Sequence, residues 1–342
     1  MPSSLPPAPS ITPATRYVAG HALTIYGLDE LSPTASRVTI LWLLHGRLCT
    51  TADMADVAAR SVDAFRDHPR SAERGLLAIA FDQRNHSARQ VSPLANEGWA
   101  QGNAAHAQDM FALVAGSVVD AGLLIDLVQG SLFPEKPDAF IDSHYVLGVS
   151  LGGHGAWQLL FADERVRTGV SIIGCPDYMF LMSDRAKKLK LPTASTADDG
   201  AGFLGSKDFP PDLVRACRKF DPKALVFGTQ EPTWPLSPDG EGRVKQLLAS
   251  RLRGKKILNC YGGADRLVPY RCSEPFLNFF KKACDQWAPE LDVSFDSREY
   301  PEAGHEFADD MVLDAVKFIV DAAAAETGSS SGRAGGVNVS RI

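Results

Sequence analysis

The stretch from Tyr145 to Gly155, Tyr-Val-Leu-Gly-Val-Ser-Leu-Gly-Gly-His-Gly, constrains this chain more than any other. Val146, Leu147 and Val149 read as a buried strand. The small residues that follow read as the start of a helix. Ser150 falls at the apex, where the chain must turn sharply. A non-glycine residue there sits in strained backbone and is tolerated only between neighbours that lack side chains, the part played by Gly148 and Gly152. The turn holds a hydroxyl clear of the sheet, beside the positive end of a helix.

Composition sets the bounds. The 342 residues are 45% hydrophobic and 22% charged, with a formal charge of -6. That length is enough for one large core, or for a core with an inserted subdomain. No lysine or arginine block stands out, which argues against nucleic acid as a partner. No apolar run reads as a membrane span. The proline- and serine-rich start, Met1 to Thr12, lacks the pattern of a secretory signal. The cysteines at 49, 175, 217, 260, 272 and 284 show no metal-ligand spacing, so reduced, structural thiols are expected.

Further strand ends follow the pattern. Residues 1–16 read as a flexible leader, and Tyr17 to Tyr26 as a first antiparallel strand. Arg37 to Leu44 is a dense apolar run, as expected of a strand buried on both faces. It ends at His45-Gly46-Arg47. Gly75 to Phe81 is the next strand, followed by Asp82-Gln83-Arg84-Asn85-His86-Ser87. Gly98 to Val128 carries helical periodicity, and His106 and Asp109 on it are expected to pair locally. Val166 to Ile173 ends at Gly174-Cys175-Pro176-Asp177. Lys256 to Tyr261 ends at Gly262-Gly263-Ala264-Asp265-Arg266-Leu267-Val268-Pro269. Asp292 to Tyr300 ends just before Gly304-His305, and a helix follows from Met311.

The Gly-Val-Ser-Leu-Gly turn resembles the nucleophile elbow of the α/β-hydrolase family. The resemblance spans about residues 37–325. It implies a mostly parallel central sheet with helices on both faces and an inserted cap, an α/β fold. By it, residues 17–175 and 228–326 form the core and 176–227 the cap; the Ser/Gly-rich stretch 327–342 reads as a disordered tail. His45-Gly46 resembles the family's oxyanion turn, which makes the backbone N–H groups of Arg47 and Leu151 the implied oxyanion donors. His45 would brace that turn. Arg47 would point either to solvent or to an acidic group of the substrate. The segment 82–87 is similar to a D-x-R-x-H-G segment that is mainly structural in relatives, with Ser87 in place of the usual glycine. His86 is therefore a poor base. Gly-Gly-Ala-Asp places the acid at Asp265, with Asp177 as its rival. Gly304-His305 stands where the family keeps its base.

The resulting order, Ser150, Asp265, His305, is that of the α/β hydrolases. Parallel strands bring such ends to one edge of a sheet. There a neutral imidazole can take the serine proton during attack, the carboxylate fixes its tautomer, and the N–H groups hold the oxyanion, each worth about 3 kcal/mol. No metal or organic cofactor is called for. In the cap, Met179, Phe180, Met182 and Phe203 would either line an acyl pocket or pin the cap to the body. The basic run Arg185, Lys187, Lys188 and Lys190 reads as a solvated helix face.

The expected activity is hydrolysis of a carboxylic ester with a small or medium acyl group. Transfer to another acceptor, cleavage of an amide, lactone or carbon–carbon bond, and a ligand-binding protein that kept the fold stay open beside it. A homodimer stays open too. A cytoplasmic location is expected, although the last residues, Ser340-Arg341-Ile342, weakly resemble a peroxisomal address.

Overall fold

A computed structural model describes residues 4–137, 140–194 and 202–326. The expected tail, 327–342, and its terminal Ser340-Arg341-Ile342 lie outside them.

The chain opens with a hairpin, β1 (Ala14–Val18) and β2 (His21–Tyr26). Then come β3 (Arg37–Leu44), α1 (Ala55–Arg66), β4 (Arg74–Phe81), α2 (His106–Leu132), β5 (Ile141–Val149), α3 (Leu151–Ala162) and β6 (Val166–Ile172). Three helices follow, α4 (Tyr178–Lys188), α5 (Pro211–Phe220) and α6 (Pro222–Phe227). The rest is α7 (Pro238–Leu252), β7 (Lys256–Gly262), α8 (Glu274–Gln286), the short α9 (Ala288–Leu291), β8 (Ser294–Tyr300) and α10 (Asp309–Ala325). One sheet joins all the strands in the order β1-β2-β4-β3-β5-β6-β7-β8. β3 to β8 run parallel, and β2 meets β4 antiparallel.

The leader and first strand differ from expectation. Residues 14–16 belong to β1, and Ile11 is buried under the same core as α1 and α10. The reading of Tyr17–Tyr26 as one strand missed a reversal at Ala19-Gly20, both at positive φ (49° and 81°).

Alternation along the strands assigns each side chain to a layer. Ile40, Trp42 and Leu44 of β3 pack with α2, α3, α7 and α8; Leu41 and Leu43 pack with α1 and α10. A third cluster joins α2 to the α4–α6 insertion, which follows β6 and roofs one end of the sheet.

The expectation that no segment is apolar enough for a membrane is amended by α2. It has 27 residues and a mean hydropathy of 2.0 in its most apolar window. Two-thirds of that window is buried in the fold, and its Asp120 takes Arg84 and Arg89 as ion-pair partners. Its apolar character is that of a core helix.

Candidate active site

The site begins at the turn between β5 and α3. Ser150 has φ 54° and ψ -110°, a conformation ordinary side chains avoid. Neighbouring backbone enforces it. The Ser150 N–H donates to the carbonyl of Ile172 at 2.9 Å, and its own carbonyl accepts from the His154 N–H at 3.0 Å. A Cβ on Gly148 would overlap the carbonyl of Gly152, and one on Gly152 would overlap that of Leu44. Glycine is required at both places because backbone passes where a side chain would stand.

His305 follows β8, and its Nε2 lies 2.8 Å from the Ser150 Oγ. Its Nδ1 lies 2.8 Å from the Asp265 Oδ2. Asp265 sits in the loop after β7, with its other oxygen accepting from the N–H groups of Leu267 (2.8 Å) and Val268 (3.0 Å). Burial works to raise the Asp265 pKa, but hydrogen bonds from His305 and those N–H groups outweigh it and hold the carboxyl below its ordinary value. With Nδ1–H committed to the carboxylate, the His305 Nε2 is the acceptor for the serine proton.

The rival acid, Asp177, does not reach this histidine. It caps α4 by accepting from the Phe180 N–H at 3.0 Å and lies 3.5 Å from the Lys223 Nζ.

The turn after β3 is braced by two imidazoles. His45 is fully buried; its Nδ1 donates to the Gly46 carbonyl and its Nε2 accepts from the Gln83 N–H. His86 uses its Nδ1 on the Arg84 carbonyl and accepts the Leu48 N–H on Nε2 at 3.1 Å. Burial is the main force lowering both pKa values, which keeps the rings neutral and able to accept. His86 thus supports the turn from the far side, a role the sequence did not signal. The Arg47 N–H donates no hydrogen bond among the described residues. The Leu151 N–H lies in the first turn of α3, where its own helix offers no acceptor.

The remaining expected residues fall elsewhere. Met179, Met182 and Phe203 are buried in the cluster joining the insertion to α2, with Phe180 half-buried beside them. That cluster gives Met179, Met182 and Phe203 a packing role between the insertion and the body. His106 and Asp109 do not pair with each other: His106 bonds the Glu97 carbonyl, and Asp109 accepts from Asn103. Arg47 is half-buried and donates to the Asn96 carbonyl at 2.8 Å. The basic run on α4 is not uniformly solvated. Arg185 is half-buried, on the face that carries the buried Tyr178, Leu181 and Met182. Helical spacing, i, i+3, i+4, i+7, would have placed it there. Among the described residues no cluster of histidine, cysteine or carboxylate side chains is arranged to hold a metal ion, and all six cysteines are free thiols.

No family model and no curated protein matches the sequence. Solved structures do match the fold. A Thermus thermophilus protein gives a TM-score of 0.54 at 17% identity, over 93% of this chain and 100% of its own. Porphyromonas gingivalis dipeptidyl peptidase 4 gives 0.52 at 12% identity, over 92% of this chain and 36% of the peptidase. Sheet order, crossover helices and these neighbours define the class: this is an α/β-hydrolase fold. Within that class, its elbow presents serine to histidine and aspartate.

Proposed function

We propose that this protein is a serine hydrolase that cleaves a carboxylic ester of small or medium acyl size. One observation carries the reading: the hydrogen-bonded line Ser150–His305–Asp265, with 2.8 Å at each link. In the proposed reaction the Ser150 Oγ attacks the ester carbonyl as its proton passes to the His305 Nε2. The N–H groups of Arg47 and Leu151 receive the oxyanion. Collapse expels the alcohol, which takes the proton from His305 and leaves an acyl group on Ser150. A water molecule then gives its proton to His305 and attacks the acyl carbon. Release of the acid returns the serine proton. Asp265 keeps the imidazole in the required tautomer and offsets its charge in both halves.

The test is labelling with a fluorophosphonate together with turnover of p-nitrophenyl esters of rising chain length. Covalent labelling at Ser150, and a fall of about 10³-fold or more in kcat for Ser150→Ala, are expected. An unlabelled wild type, or full activity in the alanine variant, overturns the reading. Faster cleavage of a peptide p-nitroanilide than of any ester would move the substrate class from ester to amide.

A further inference from the structure

Beside the oxyanion turn, between the insertion and the body, lies a cavity of about 290 Å³. Arg47 reaches it from the turn, Arg185 and Lys188 from α4, and Arg266 from the loop next to Asp265. Trp99 and His106 close another side, their rings edge-on with centroids 4.8 Å apart. Among the described residues no carboxylate lines it. Four cationic side chains thus converge on a small space, each carried by an element that also holds part of the site or its roof.

Two of these residues keep donors unused. The Arg185 Nε and the Trp99 Nε1 are both shut off from solvent and have no hydrogen-bond partner among the described residues. Among the described residues the rest of the Arg185 guanidinium meets neutral groups, the Met110 Sδ at 3.1 Å and the Leu267 carbonyl at 3.2 Å. Lys188 has a partial counter-charge, Asp184 at 3.0 Å, which it shares with Arg271. Burial lowers the Arg185 pKa, and nearby Arg47 adds to the effect. A half-buried guanidinium with no carboxylate beside it among the described residues, next to other cations, is costly unless something else supplies negative charge. Two of the lining residues adjoin the candidate active site in sequence, Arg47 after the His45-Gly46 turn and Arg266 next to Asp265, while Ser150, Asp265 and His305 do not themselves line the cavity.

Resting on the hydrolase reading, we infer that the substrate carries a second, anionic group, a carboxylate or a phosphate, which this cavity receives. Arg185 supplies the inner, least solvated contact, and Arg47, Lys188 and Arg266 surround it. Trp99 and the exposed Leu267 give the carbon chain an apolar wall. Such a site selects charged esters over neutral ones of the same length. Its attraction is screened by salt.

The test compares mono-p-nitrophenyl glutarate with its neutral methyl ester. For the wild type at low salt, kcat/KM should favour the anionic ester by about tenfold or more, and the preference should shrink as ionic strength rises. Arg185→Gln should collapse the ratio. Because that side chain is half-buried, the exposed Arg266→Gln serves as a second variant and should lower the ratio in the same direction. A wild-type ratio at or below one, or a ratio untouched in both variants, overturns a carboxylate. Inorganic phosphate then decides for the other anion: competitive inhibition that Arg266→Gln abolishes supports the site, and no inhibition overturns it. If neither ester is cleaved and Ser150 is not labelled, the hydrolase reading has failed on its own. The anion site is then judged by whether glutarate or phosphate raises the wild-type Tm saturably and Arg266→Gln loses the rise; no rise in either anion overturns it.

Discussion

Asp265 and Asp177 each follow a buried strand by a few residues, yet only one faces an imidazole. The sequence favoured Asp265 through its Gly-Gly-Ala-Asp context, and geometry separates the pair by what each oxygen touches. Asp265→Asn should lower kcat on a p-nitrophenyl ester by about 10³- to 10⁴-fold, because the amide cannot hold the Nδ1–H tautomer. Asp177→Asn should leave kcat within a few-fold. Steady-state kinetics on both variants checks this, and equal losses would sink the assignment. Gly148→Ala should be worse than a surface change. Its Cβ meets backbone rather than a movable side chain, so a loss of about 3 kcal/mol or more is expected in a urea melt. Ser150, Asp265 and His305 were legible because local glycine signals mark each strand end. Arg185 was not, since lysines and arginines close together read as solvated whatever face they occupy.

The insertion is fastened by a buried charge trio. Asp221 caps α6 and accepts the Tyr178 N–H at 2.9 Å, Asp177 caps α4, and Lys223 is buried with them. Burial is the largest influence on both carboxyls and raises them, Asp177 to about 6 and Asp221 to about 8. The folded trio therefore holds protons that the unfolded chain, with carboxyl pKa values near ~4, has released. Its stabilising contribution is complete below that value and is lost as pH rises through the folded values. Buried histidines such as His144, lowered to about 4 chiefly by burial, act in the opposite sense only below ~6.5. Asp221→Asn should thus gain stability relative to wild type as pH goes from about 5 to 8, read as the difference between urea midpoints. A difference that does not change with pH refutes the protonated trio. The first hairpin shows why element boundaries were harder to read than elements. Ala19 takes a positive φ without the asparagine or aspartate that usually marks such turns. Ala19→Asn should raise stability by about 0.5 kcal/mol, seen as a small increase in Tm.

Over the whole molecule, one sheet separates two apolar layers, and the apolar strand runs make that legible in the sequence. The insertion is expected at 176–227, but its helices are not legible there. Its helices are short and interrupted, and their apolar faces are covered by α2, by Leu151 of α3 and by the loop after β7. Trp157, fully buried between the sheet and α8, carries much of one layer. Trp157→Ala should cost about 3–5 kcal/mol in a urea melt, with labelling of Ser150 surviving wherever the fold does.

Arg185 and Lys188 of α4 hold the carbonyls of Leu267 and Arg266, and Asp184 holds Arg271. The roof is thus tethered to the loop that positions Asp265. A roof that swung open on hinges would tug that carboxylate off its histidine at every visit. On the proposed reading, guests would enter through a fixed porthole, with the rim choosing them by charge while the machinery beneath stays cocked.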